Sequence, residues 1–320
     1  YYRTGVSGGS ANWSGAKLET KSLSTSIKEN FKVNSTIEDI TLRKAKVINT
    51  KAAAGTEPID IPIINGLTRA PVYALDSTAY IGHEADLNNT IGVMAVYRSC
   101  GEGSDFKMDG YEGGSEHALQ LTGEEMKTLR FMKANCKKTI LINTAVNILE
   151  INDEVNSFCD AIMYMPNPGS AGAGVIGDIL AGKVNPSGKT VDTWSKDFLS
   201  IPSSVNFGFG GTGPYKKGNP QMTYTNVKQL DGSSNGTFVQ YEEGIYVGYR
   251  WYETAYKEGK INYDEEVAFP FGHGLSYTSF TQEIVDQKIN DNKVTLTVKV
   301  SNTGDVAGKD AVQVYYEAPY

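Results

Sequence analysis

Several features that usually announce a function are scarce in this chain of 320 residues. It holds only three cysteines, Cys100, Cys136 and Cys159, with no CxxC pair among them. A disulfide scaffold and a thiolate zinc site are therefore both disfavoured, and free buried thiols are the simpler expectation. Its three histidines, His83, His117 and His273, are far apart and form no HExxH-type spacing, so no metal site is expected. No apolar run approaches the ~20 residues of a membrane-spanning helix. Lys and Arg total 30 against 37 Asp and Glu, a net charge of −7, and the basic residues are scattered. Such a chain has no positive field for nucleic acid. It begins at Tyr1 without a methionine or a leader-like stretch, so a native N-terminus can be missing and the compartment is not legible.

What is present is a globular composition, 40% hydrophobic and 21% charged, long enough for one large or two ordinary domains. Nineteen tyrosines stand out, rings with a polar tip that suit sugar stacking and half-buried strands alike. The opening YYRTGVSGGSANWSG reads as a loop, and residues 15 to 90 mix short helical and extended patterns.

After residue 90 the pattern alternates. IGVMAVYR (91–98) predicts a strand ending in the glycine-broken loop SCGEGSDFKMDG. Thr122 and Glu125 form a capping box that opens a helix over EEMKTLRFMKANC. KTILINTA is a second strand, a weaker helix runs near Val155 and Phe158, DAIMYM is a third strand, and AGAGVIGDILAG is a glycine-opened helix. This order predicts an α/β fold, a mostly parallel sheet sandwiched between helices. Ligands bind such sheets at the carboxyl ends of the strands, so loops 99–110 and 166–172 should open onto one crevice.

Residues 204 to 265, rich in Gly, Tyr, Asn and Ser, read as a long irregular excursion wrapping the sheet domain. Beyond FPFGHGLSYTSF, the runs TQEIVDQKI, KVTLTVKV and AVQVYYEA alternate in strand fashion around the turns NDN and NTGD. They predict a partial antiparallel β-sandwich, since about seven strands are needed and about three fit before Tyr320. The expected division is 1–203 for the α/β sandwich domain, 204–278 for the excursion and 279–320 for the incomplete β-domain.

In this order, YRSCGEGSD, PGSAGAGVIGDILAGKVNPSGKTVDTW, YEEGIYVGYRWYE, FPFGHGLSYTSF and VSNTGDVAGKDAVQVYYEAP resemble glycoside hydrolase family 3, the β-glucosidase and β-xylosidase family. The resemblance covers most of the chain. It implies the family's α/β sandwich domain followed by the start of its fibronectin-type-III-like domain. It also implies hydrolysis of terminal β-linked glucose or xylose with retention, without a cofactor, on a β-linked oligosaccharide or glycoside. The nucleophilic Asp would lie on a (β/α)₈ barrel, in the same or a cleaved chain, that these residues do not include. Some bacterial members carry a permuted order of sandwich, fibronectin-like domain and barrel, and either order fits.

The family's acid/base is usually a Glu in a PG-x-Glu segment, and here Ala171 takes that place beside Pro168 and Gly169. An inactivating substitution, a noncatalytic relative and a subfamily with its acid elsewhere all fit that departure. In the last case Glu102, in GEGSD, is the candidate acid/base, because a carboxylate in a crevice loop is partly desolvated and its pKa rises toward the working range of an acid. A plainer role for Glu102 is to pin its loop by backbone hydrogen bonds or by pairing with Arg98. Asp105 is a candidate sugar-hydroxyl ligand or a loop cap. Glu242 and Glu243 could hold a sugar or fasten the excursion, and Trp194 and Trp251 could stack on a pyranose or pack in a core. Gly169, Gly172 and Gly174 have GxxGxG spacing, which close helix–strand packing explains better than a dinucleotide. A noncatalytic carbohydrate-binding or structural module stays open as the alternative function.

Overall fold

The computed structural model describes residues 21–41, 63–64, 67–68, 77–98, 116–166, 168, 172–206, 222–223, 237–238 and 243–317. At its centre are three parallel strands in sequential order, β1 (Ile91–Val96), β2 (Lys138–Asn143) and β3 (Ala161–Tyr164). Ile91 is in register with Lys138 and Ile140 with Ala161. All three are runs of apolar and β-branched residues, as strands covered on both faces require.

Helix α1 (Leu23–Asn30) precedes the sheet, α2 (Gly123–Asn135) links β1 to β2, α3 (Asp153–Phe158) links β2 to β3, and α4 (Ile176–Leu180) follows β3. The two-residue alternation along the strands divides the core. Met94, Val96 and Leu141 pack with Leu129 of α2, Val155 of α3 and Trp194, whereas Ile142, with Val93, Ala95, Ile140 and Met163, packs with Leu23 of α1 and Ile176 of α4. Helices therefore cover both faces, as the alternating pattern predicts. The capping box is present in full: Thr122 Oγ1 accepts from the Glu125 N–H and Glu125 accepts from the Thr122 N–H.

Three details differ from expectation. The tyrosine-rich stretch expected to be irregular contains α5 (Tyr249–Lys257), whose partly buried face includes Tyr252 and Ala255, and α6 (Tyr263–Glu266). Spacing of three between Tyr249, Tyr252 and Ala255 suits a helix, and the glycines of the stretch hid that period. Close helix–helix contact also enters at the glycines, for within α4 a Cβ added to Gly177 would meet the carbonyl oxygen of Ser26 in α1 at 2.0 Å, while before it one on Gly174 would lie 3.0 Å from the Lys21 side chain and one on Gly172 2.8 Å from Pro168. Finally, the expected strand over AVQVYYEA shows no backbone ladder over its described residues, 311–317. That segment is tied through side chains, Gln282 donating to the Ala311 carbonyl at 3.1 Å and Gln313 to that of Gly272 at 3.3 Å.

Further ladders are antiparallel. Trp194–Ser195 (β4) pairs with Val267–Phe269 (β5), so residues beyond 260 return to the sheet domain. Phe280–Asn290 (β6) and Lys293–Asn302 (β7) form a long hairpin around Asp291, whose φ of 48° suits a tight two-residue turn. Asn185, in the NPSG turn, accepts from the Tyr277 N–H at 2.8 Å and donates to the Ala307 carbonyl at 3.0 Å. With the Lys189–Asp310 ion pair at 3.4 Å, it fastens the hairpin region to the sheet domain.

Candidate active site

The parallel register decides where the loops leave. Val96 and Asn143 are partners, as are Asn143 and Tyr164, so the carboxyl ends of all three strands lie on one edge. The exits of β1 and β3 are two strands apart, or about 10 Å. Residues 97–98, 144–147 and 165–166 begin the loops there.

Each exit is held by its own chemistry. Asn143 folds the second loop back on itself, its Oδ1 accepting from the Ala145 N–H at 2.9 Å and its Nδ2 donating to the Asn147 carbonyl at 3.1 Å. Thr144 donates both its N–H, at 2.9 Å, and its hydroxyl, at 3.0 Å, to the carbonyl of Val96. Tyr164 donates to the Val146 carbonyl at 2.7 Å, which couples the second loop to β3 and leaves the Val146 side chain exposed. After β3 the Gly172 N–H reaches back to the Pro168 carbonyl at 3.0 Å, and a Cβ on Gly172 would press within 2.8 Å of the Pro168 ring. Small size is what Gly172 supplies.

The first loop is anchored by buried charge. Arg98 is 3% exposed. Its Nε donates to the Ala118 carbonyl at 2.6 Å, Nη1 to the Tyr97 carbonyl and Glu125 Oε1 at 2.9 Å each, and Nη2 to the Gln120 carbonyl and Glu125 Oε2 at 2.6 Å each. Bidentate geometry of this kind suits the planar guanidinium. On the other side of the same segment, His117 Nδ1 accepts from the Leu119 N–H at 3.2 Å, which leaves Nε2 to donate to Glu150 Oε1 at 2.8 Å. Glu150 also accepts from Gln120 at 2.8 Å and from the Phe198 N–H at 3.0 Å. Burial alone would raise the Glu150 carboxyl, but these hydrogen bonds outweigh it and hold the group below its ordinary range.

Glu102, Asp105, Ala171 and Glu242 lie outside the described residues, as does any pairing of Glu102 with Arg98. Glu243 opens the turn before α5, its carbonyl accepting from the Tyr246 N–H at 2.9 Å. Trp194 is 2% exposed and edge-on to Tyr164 and Phe269, with ring centres 5.0 and 5.6 Å away, so it is core and offers no sugar platform. Trp251 is half-buried on α5. His83 contacts Asp86 at 3.3 Å, and His273 stacks on Phe269 at 5.0 Å, where burial and then Lys189 depress its pKa. Among the described residues no group of three or more His, Cys, Asp or Glu could hold a metal, and no helix is long and apolar enough to cross a membrane.

Glu150 and the second role of Glu125 carry no local sequence signal. The capping box marks Glu125 only as a helix cap, and nothing local marks either residue as the partner of Arg98, 27 positions away, or of His117, 33 positions away.

A helix-covered parallel sheet whose loops leave from one edge, at the strands' carboxyl ends, defines an α/β domain of the class that binds ligands at that edge. The family described as the glycosyl hydrolase family 3 C-terminal domain matches residues 4–249, and the chain belongs to that family. It is 33% identical over 229 residues to a β-glucosidase of Ruminococcus albus, covering 71% of this chain and 20% of that protein. To a β-glucosidase of Kluyveromyces marxianus it is 30% identical over 288 residues, covering 87% and 29%. The solved structure of β-glucosidase 3B from Thermotoga neapolitana in complex with glycerol shares the fold, with a TM-score of 0.65 and 23% identity over 93% of this chain and 36% of that one. The chain thus spans less than a third of the length of those two β-glucosidases.

Proposed function

We propose that this chain forms one wall of the active site of a retaining β-glycosidase that hydrolyses terminal β-linked glucose or xylose. The observation that carries the reading is the family match over residues 4–249, a range that includes Glu102 and Asp105. Relatives named β-glucosidase favour glucose as the sugar.

In this reading Glu102 is the acid/base, Asp105 binds a sugar hydroxyl, and an Asp on a (β/α)₈ barrel of the same or a cleaved chain is the nucleophile. The nucleophile attacks the anomeric carbon as Glu102 protonates the departing oxygen; Glu102 then takes a proton from water as that water releases the sugar, the two carboxyl groups standing about 5–5.5 Å apart. No cofactor enters. Residues 1–203 are the sandwich domain, 204–278 the connecting excursion, and 279–320 the start of a fibronectin-type-III-like domain that the β6–β7 hairpin opens.

The test is Glu102→Ala in the chain together with its barrel. Turnover of a glycoside with a poor leaving group should fall about 10²–10⁴-fold, with azide restoring turnover of an activated aryl glycoside. Unchanged turnover with no azide effect would remove Glu102 from the mechanism. Ala171 favours a second reading, a noncatalytic carbohydrate-binding module. Sugar binding without hydrolysis by the complete protein would establish it.

A further inference from the structure

Two elements meet at Arg98 that residues 99–115 separate in the sequence. Arg98 stands two residues past the end of β1, and the carbonyls it grips, those of Ala118 and Gln120, lie just before α2. Its carboxylate partner, Glu125, sits in the first turn of α2 and closes the fork from the other side at 2.6 Å. The segment 117–120 is also held from behind by Glu150, through His117 and Gln120. Both charges of the pair are buried, Arg98 at 3% and Glu125 at 5% exposure, so water competes little for these bonds.

We infer that Arg98, locked by Glu125, is a positioning residue for the acid/base: it ties the exit of β1 to the entry of α2 and so sets where the chain bearing Glu102 departs and returns. The inference rests on the reading of Glu102 as acid/base. Arg98 and Glu102 are four positions apart, a reach of at most about 14 Å. The anchor therefore bounds how far from Arg98 the backbone of Glu102 can lie. Lysine at position 98 keeps the charge but cannot bridge a carboxylate and two carbonyls at once, because its ammonium is a point rather than a fork.

The experiment compares Arg98→Lys, Glu125→Gln and Glu102→Gln in the chain with its barrel, using aryl β-glucosides of good and poor leaving groups, with thermal melts of each variant. Arg98→Lys should slow kcat on the poor leaving group about 10–100-fold, since misplacement by about 1 Å carries a cost of that order, with KM nearly unchanged. On the good leaving group, which needs little protonation, the loss should stay below about 3-fold. Glu125→Gln should give the same split in weaker form, and serves alone if Arg98→Lys does not fold. Equal loss on both substrates, or a change confined to the melting temperature, makes the clasp merely structural and overturns the inference while leaving Glu102 in place. If Glu102→Gln shows no dependence on the leaving group, the reading of Glu102 fails, and the positioning role fails with it.

Discussion

Ser26 and Gly177 meet where α1 crosses α4: the Ser26 hydroxyl donates to the Gly174 carbonyl at 2.7 Å and accepts from the Gly177 N–H at 2.8 Å. Ser26 is fully buried there, and a Cβ on Gly177 would lie 2.0 Å from its carbonyl oxygen. Gly177→Ala should therefore force the helices apart and destabilise the fold by about 1–3 kcal/mol. Ser26→Ala should cost a similar amount, about 1–3 kcal/mol, by leaving a buried N–H without an acceptor. Denaturant melts of the two variants check both values, and a native-like midpoint for Gly177→Ala would show that the crossing is loose.

Glu150 makes acid stability measurable. Its carboxyl titrates below the ordinary value of 4.5 because the hydrogen bonds from His117, the Phe198 N–H and Gln120 outweigh its burial. A depressed folded pKa means that the stabilisation is complete above about 4.5 and fades as pH falls through the folded value. In Glu150→Gln an amide N–H₂ would face donors, so stability should drop at neutral pH, and the slope of stability between about pH 5 and 3 should flatten. Unfolding free energies measured across that range decide it.

Asp160 adds to the same acid limb. Hydrogen bonds from Lys138 at 2.8 Å and the Thr139 N–H at 2.9 Å bring its pKa down to about 2. Its contribution is present above 3.8 and is lost as pH approaches 2. Titration of Asp160 by NMR should find the carboxyl ionised at pH 3, and a midpoint near 3.8 would contradict the contact.

Cys159 should be a sluggish nucleophile. Burial pushes its thiol up to about 11, against a smaller opposing effect of Lys133, and burial raises Cys136 as well. At pH 8 the thiolate fraction of Cys159 is then about one in a thousand, against about one in four for an ordinary thiol. With Cys100→Ser in place, disulfide-exchange reagents should label the native protein about 100-fold more slowly than the unfolded chain. Rapid native labelling would place these thiols in the open.

Asn185 is expected to govern how the hairpin region is held. It accepts from the Ser276 hydroxyl at 2.8 Å as well as from the Tyr277 N–H, and donates to the Ala307 carbonyl. Asn185→Ala should speed amide exchange and proteolytic cutting near residues 276–278 and 306–308 while leaving β1–β3 protected. Equal loss of protection in the sheet would mean that the two regions unfold together.

The sheet domain was legible in the sequence because its information is short-range. Apolar alternation over IGVMAV, KTILIN and AIMY, and the hydroxyl–carboxylate pair at Thr122 and Glu125, act within a few residues through backbone geometry and strand or helix period. They place the strands, the linking helix and the end of the sheet where the loops gather. Helix α5 is not legible because glycines and tyrosines blur its period, and the stretch AVQVYYEA has strand propensity but no backbone ladder over its described residues, 311–317.

What the tertiary structure alone decided is which polar groups meet. Arg98 finds Glu125 across 27 positions, Ser26 finds Gly177 across 151, and Trp194 is buried between Tyr164 and Phe269 rather than offered to a sugar. The physical reason is that a hydrogen bond or ring contact depends on distance in space. That distance is set only when the sheet register and helix crossings bring remote segments together, so no local pattern carries it.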